Sequence, residues 1–302
     1  QDISPSLSPQ LAVGPSSGPS YEHVYYSNGR NSFKFNDTDG SLEWSVSEGG
    51  AGSEVDFTDT ESEYIVTQSY GDGTSDIVRV EPDGSVTWTH SVNQLVFSPI
   101  YDEGVVYVVS SGDHLIGIDP STSSEVSNVT LETTISMYDY DSGVVYGQSD
   151  SEVLALDAST GDITWSTAIT AYGTTQANYD DSNTGRYLTY DPVSPVSTIE
   201  VFDSSGGKNS FSVGEDATTF QYADGYYYVA EDDTNTVQKY ESDGAHVGTV
   251  ASVGSYPNVV GANSAGQTYV ATGSELRKYD SDGTLLWSHT FSKYTELGEI
   301  NF

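Results

Sequence analysis

The feature that most constrains this chain is an internal repeat. An apolar strand, an acidic turn ending in Gly and a second strand, often with Trp, recur along it. The clearest copies are FKFNDTDGSLEW (Phe33 to Trp44), VRVEPDGSVTW (Val78 to Trp88), VLALDASTGDITW (Val153 to Trp165) and LRKYDSDGTLLW (Leu276 to Trp287). Weaker copies are VFDSSGGKNSF (Val201 to Phe211) and QKYESDGAHVG (Gln238 to Gly248). The weakest, IGIDPSTSSEV (Ile116 to Val126), lacks both the Gly and the Trp. The turns fall near residues 40, 84, 123, 161, 206, 244 and 283, a period of about 40 residues.

A second element precedes each turn. Gly104-Val-Val-Tyr107, Gly143-Val-Val-Tyr146, Gly225-Tyr-Tyr-Tyr228 and Gly266-Gln-Thr-Tyr269 share a Gly-x-x-Tyr strand opening. Each unit therefore reads as four short strands, rich in β-branched and aromatic residues and separated by Gly/Asp/Ser turns. No stretch sustains a helical period. Four-stranded units of this length are propeller blades. The expectation is an all-β protein, a single seven-bladed β-propeller of four-stranded antiparallel blades. It would span residues 11–291, with an extended N-terminal arm over 1–10 and a C-terminal tail over 292–302.

The units resemble those of PQQ-type (quinoprotein-like) β-propeller repeat proteins. Val153-Leu-Ala-Leu-Asp157-Ala-Ser-Thr-Gly161-Asp-Ile-Thr-Trp165 carries the apolar–Ala–Leu–Asp–x–x–Thr–Gly–x–x–x–Trp pattern. Lys278-Tyr-Asp-Ser-Asp-Gly283-Thr-Leu-Leu-Trp287 carries the related Lys–Tyr–Asp–x–Asp–Gly form. The resemblance implies architecture and leaves activity open. Quinoprotein dehydrogenases of similar repeat type have eight blades, about twice this length and often a vicinal Cys pair; this chain has no Cys.

Charge narrows the function classes. Against 45 Asp and Glu stand 9 Lys and Arg, a formal net charge of −36. Such a polyanion repels nucleic acid and anionic membranes. Without Cys there is no thiol catalysis, Cys-ligated zinc or iron–sulfur cluster. No apolar run approaches the roughly 18 residues of a membrane-spanning helix, so no membrane insertion is expected. Twelve per cent aromatic residues argue for a packed core despite the charge. An evenly acidic, Lys-poor composition resembles that of halophile proteins, whose self-repulsion is screened in molar salt.

Consecutive turns of a four-stranded meander alternate between its two ends, so the A–B and C–D turns share one end. That end is acidic in nearly every blade, whereas the B–C and D–A loops vary. The variable end, or the chain termini, is therefore the expected contact surface. Its candidates are the off-repeat residues Tyr70, Tyr172, Tyr190 and Tyr256. The recurring Trp44, Trp88, Trp165 and Trp287 are expected to pack between blades. Lys34, Arg79, Lys239 and Lys278 share one repeat position. They read as local charge balance with their stems between blades, or alternatively as a cationic ring for an anionic ligand.

No catalytic constellation stands out. The five His residues show no metal spacing, and no nucleophile elbow occurs. Asp37, Asp39, Asp280 and Asp282 lie in Asp-rich turns like fragments of calcium loops, without the terminal bidentate acid. Asp-Gly at a β-turn is the plainer account. No cofactor is expected; calcium or another cation is the only inorganic ligand these turns suggest.

The first residue is Gln, which reads as a processed N-terminus, from a removed secretion signal or a virion maturation cleavage, or as numbering that begins inside a longer product. The functional expectation is a non-enzymatic binding or structural propeller on an exterior surface in a hypersaline environment. That surface is a cell envelope, or a virion capsid or tail, and its partners are proteins, glycans or other subunits of an assembly. The alternative is a secreted glycan hydrolase or lyase working at the channel mouth.

Overall fold

The computed structural model describes the chain except residues 1–9, 14–22, 28–30, 48–54, 58–62, 70–72, 103, 112, 150–151, 170–173, 179–183, 190–195, 216, 264 and 292–302. Among the described residues every regular element is a β-strand. The strands form seven four-stranded sheets, each an antiparallel meander in chain order. Numbered along the chain, they draw on residues 10–47, 55–92, 96–130, 136–168, 174–215, 217–252 and 257–290. Within each sheet the strands are lettered A to D. The chain divides into two compact units. One contains sheets 2, 3 and 4; the other contains sheets 5, 6 and 7 with most of sheet 1.

In both units the core lies between successive sheets. Ile77 of sheet 2 packs with Val96, Val106, Val108, Ile116 and Ile118 of sheet 3, and Trp88 covers them. Val109 and Leu115 of sheet 3 meet Met137, Val145, Leu154 and Leu156 of sheet 4. In the other unit, Ile199 of sheet 5 meets Phe220, Tyr227 and Val229 of sheet 6. Sheet 7 packs on both sides, against Tyr228 and Val237 of sheet 6 and against Val24, Phe33 and Phe35 of sheet 1. Sheets buried on both faces read as continuous apolar runs. Strand B of sheet 7, Thr268–Thr272, is accordingly buried at all five positions. The D strands alternate, as in Ile163–Ala168, because their outer face meets solvent.

The C–D turns explain the repeated Gly. Gly40, Gly161, Gly244 and Gly283 all have positive φ, near +70 to +87°. Each also presses on the D strand or following residues of a neighbouring sheet. A Cβ at Gly40 would lie 2.5 Å from the Trp287 ring, and one at Gly244 2.5 Å from the Phe211 ring. At Gly283 it would stand 2.7 Å from the Val250 carbonyl oxygen, and at Gly161 it would overlap the Thr130 carbonyl. Only a residue without Cβ satisfies both the left-handed backbone and the close approach. In the turn that lacks Gly, Ser123 adopts φ of +55°.

These two requirements separate by mutation. Gly104 has φ of +85° but open space around its Cβ position. Gly104→Ala should cost about 1–2 kcal/mol of backbone strain. Gly40→Ala should cost a further 1–3 kcal/mol or so, because the Trp287 ring must move. Urea denaturation of the two variants reads the difference.

Candidate functional site

The chemistry-bearing residues concentrate at the A–B and C–D ends of the strands. The C–D turns use their carboxylates to bind their own backbone. Asp39, Asp83, Asp119, Asp157, Asp203 and Asp282 each accept the backbone N–H of the residue two positions on, at 2.7–3.0 Å. That residue is always Ser or Thr, and its hydroxyl donates to the same oxygen at 2.6–2.7 Å at Asp83, Asp119, Asp157, Asp203 and Asp282. The hydroxyl and then mainly backbone amides hold all six fully exposed carboxyls below the ordinary Asp value. The underlying signal is Asp-x-Ser/Thr at six of the seven C–D turns, with Asp243-Gly-Ala245 in sheet 6, and the Asp-Gly reading of the sequence passes over it. It is a local Asx-turn motif, not a ligand loop.

The four cations at the shared repeat position have different surroundings. The Lys278 ammonium, 5% exposed, donates to Asp37 Oδ2 at 2.7 Å and to the Asp37 carbonyl at 3.1 Å. The Tyr269 hydroxyl donates to Asp37 Oδ1 at 2.8 Å, and Trp287 Nε1 donates to the Asp37 carbonyl at 2.8 Å. Burial, and then the Asp37 charge, push the Tyr269 phenol far above its ordinary value. Tyr269, Lys278 and Trp287 face one another across strands B, C and D of sheet 7. They grip one residue of sheet 1. Arg79 pairs with Glu81 at 2.9 Å, and the buried Lys34 stands 3.7 Å from Glu43. Lys239 instead lies over the Tyr226 ring at 3.7 Å.

Asp37, one of the four turn residues weighed for calcium, is a partner of Lys278 and Tyr269. Its two carboxylate oxygens are already met by an ammonium and a phenol. Asp39 and Asp282 serve their own turns, and Asp280 Oδ1 accepts the Thr284 and Asp282 amides. Among the described residues no three His, Asp or Glu side chains converge as a metal site.

Trp287 is buried against Gly40. Trp88 is half-buried over the sheet 3 residues named above, and Trp165 is half-buried with its ring 6.5 Å from that of Tyr146. Trp44 is half-buried on strand D of sheet 1. Tyr256 stands 46% exposed between sheets 6 and 7, immediately before the buried Pro257. Tyr70, Tyr172 and Tyr190 lie outside the described residues.

The buried clasp and the exposed turns predict different responses. Asp37→Ala leaves the Lys278 ammonium uncompensated and should cost about 3–5 kcal/mol. Adding Lys278→Met should recover much of that loss, a non-additivity read by a double-mutant cycle in urea. At the turns, the depressed carboxyls stabilise the fold above the unfolded Asp value near 3.9 and lose that contribution as pH falls through their lower folded values. Ser159→Ala, which removes the hydroxyl donor, should move the Asp157 carboxyl up toward the ordinary value in an NMR pH titration.

Comparison with known proteins agrees with the repeat chemistry. No curated protein matches the chain in sequence. Among solved structures, hydrazine synthase of Kuenenia stuttgartiensis is 13% identical with a TM-score of 0.64, covering 83% of this chain and 89% of that one. The computationally designed Ika8 protein is 14% identical with a TM-score of 0.59, covering 90% of this chain and 85% of its own. At such identity the likeness concerns the fold alone. The family model described as outer membrane protein assembly factor BamB matches residues 33–219, more than half of the chain. With its Asp-turn and Trp repeats and its four-stranded sheets, the chain belongs to this family of PQQ-type β-propeller repeat proteins.

Proposed function

We propose that the seven sheets close into one seven-bladed ring that serves as a non-enzymatic binding or structural module on an exterior surface in a hypersaline environment. Support for closure comes from sheet 7. It meets the C–D turn of sheet 1 through Trp287 and Gly40, as sheet 5 meets the C–D turn of sheet 6 through Phe211 and Gly244.

The observation that carries the non-enzymatic reading is the direction in which the turn carboxyls are shifted. A general acid at neutral pH needs a carboxyl raised toward 6 or 7. Among the described residues, the six perturbed Asp groups are all lowered, each by donors of its own turn. They stay ionised and hydrated, which suits a surface that must remain solvated at high salt. The matched family model carries the name of an assembly factor, which favours a protein-binding scaffold. The contact surface in this reading is the B–C and D–A end, where Tyr256 offers an exposed ring held by the turn before Pro257.

Purifying the native protein from its source in high salt and identifying what remains bound tests the binding role. A processed small molecule and no macromolecular partner would favour an enzyme instead. The environment is tested separately. Raising KCl from about 0.1 M to 2 M shrinks the screening length from about 10 Å to below 3 Å. The thermal midpoint should rise steeply over that range, and an unchanged midpoint removes the hypersaline assignment.

A further inference from the structure

The repeat places the same two side chains in sheets 6 and 7 and gives them different surroundings. In sheet 7, Tyr269 and Lys278 are register partners on strands B and C, and together they hold the Asp37 carboxylate. In sheet 6, Tyr228 and Lys239 are the corresponding register partners. The ammonium stands 5.3 Å from the tyrosine ring centroid in both sheets. The donor pair thus recurs in the same register and with the same ammonium-to-ring distance.

What differs is what the pair meets. The residue that follows the first turn position of sheet 1 is Asp37; in sheet 7, which faces sheet 6, it is Ser281. Ser has no carboxylate to present. The Tyr228 hydroxyl is accordingly buried without a hydrogen-bond partner, although the residue is only 1% exposed. Burial, and then the charge of Asp224, push its phenol up to about 12, so it remains a proton donor at all ordinary pH. Lys239 has no carboxylate within ion-pair distance among the described residues, and its ammonium rests on the Tyr226 ring. The D-strand residue opposite Lys239 is Gly248, where sheet 7 has Trp287 opposite Lys278. A Cβ at Gly248 would meet nothing within 4 Å, so no indole covers the ammonium from that side.

We propose that the Tyr228 hydroxyl and the Lys239 ammonium form a binding site for an external carboxylate, in the position that the Asp37 side chain occupies in sheet 7. The phenol donates to one oxygen and the ammonium to the other, as Tyr269 and Lys278 do. The opening at Gly248 leaves room for the body that carries the carboxylate. An unpaired buried donor is costly, so a ligand that satisfies it gains what the fold leaves unmade. The chemistry is the same whether the carboxylate is a free organic acid or an Asp or Glu side chain of another protein. The surrounding end is acidic, with Asp224, Glu241 and Asp243 close in sequence. Long-range repulsion therefore opposes binding in dilute buffer and is screened in molar salt, while the two short hydrogen bonds persist. The affinity should increase with salt, the reverse of an ordinary exposed lysine–carboxylate contact. This inference stands apart from the display role, which survives its failure.

The test is an NMR titration of the full chain in KCl with three probes: acetate, the peptide acetyl-Gly-Asp-Gly-amide, and its Asn counterpart. The expected result is saturable movement of the Tyr228, Lys239, Gly248 and Ser281 amide signals with the carboxylate probes and none with the Asn peptide. A response to acetate assigns a free acid as sufficient; a response to the Asp peptide alone assigns an acidic side chain. Tyr228→Phe removes only the unpartnered hydroxyl, so it should fold as the parent does and weaken binding about tenfold, the loss of one charge-assisted hydrogen bond. Lys239→Gln should weaken it at least as much. Ser281→Asp should supply an internal carboxylate, raise the thermal midpoint and abolish the response. The proposal is overturned if neither carboxylate probe moves these signals, or if Tyr228→Phe binds as tightly as the parent.

Discussion

The close approach of the C–D turns at Gly40, Gly161, Gly244 and Gly283 to a neighbouring sheet is the constraint on which the other features depend. Where a Cβ at Gly40 would lie 2.5 Å from the Trp287 ring, turn and aromatic must be selected together. The same turn presents the Asp37 carbonyl to Trp287 Nε1 and Lys278 Nζ. One short contact therefore sets a glycine, an aromatic and a charge pair at once. Sheet-on-sheet burial supplies most of the stabilisation, as it must in any such core, but the turn contacts decide which sheet faces meet.

A chain of net charge −36 has to place its carboxylates where they cost least. Asp39, Asp83, Asp119, Asp157, Asp203 and Asp282 lie in exposed turns, each satisfied by a backbone amide of its own turn. Ionised side chains in that position pay little desolvation, and the local donors offset part of the repulsion between them. The cations are used differently. Lys278 and Lys34 are buried on strand C, where their stems fill the space between sheets and their heads reach a carboxylate or carbonyl. Glu200 is the inverse case, a buried acid held by Lys208 at 2.9 Å. Scarce positive charge thus serves packing as well as surface balance.

The repeat was legible because each blade solves the same packing problem with the same few residue types. Periodicity alone located all seven turns and the Gly-x-x-Tyr strands, and among the described residues every regular element is a strand. It also assigned Lys34, Arg79, Lys239 and Lys278 to one position, which the strand registers reproduce for Arg79, Lys239 and Lys278. The Asp-x-Ser/Thr turn chemistry was equally present in the sequence, but an Asp-Gly pair draws attention away from the hydroxyl one residue later.

The sequence by itself determined the all-β class, the four-stranded unit, the acidic turns and the classes of chemistry that a Cys-free polyanion excludes. These follow from local rules, since strand period, turn residues and charge act over a few positions. Which side chains meet across sheets was decided only by tertiary structure. Asp37 and Lys278 are 241 residues apart, and nothing in either motif distinguishes a calcium-loop aspartate from a partner for a buried ammonium. Likewise Lys239 and Lys278 are equivalent in the repeat and opposite in circumstance, because the neighbouring turn offers Ser281 to one and Asp37 to the other. Such pairings depend on the approach of segments distant in sequence, and packing alone brings them together.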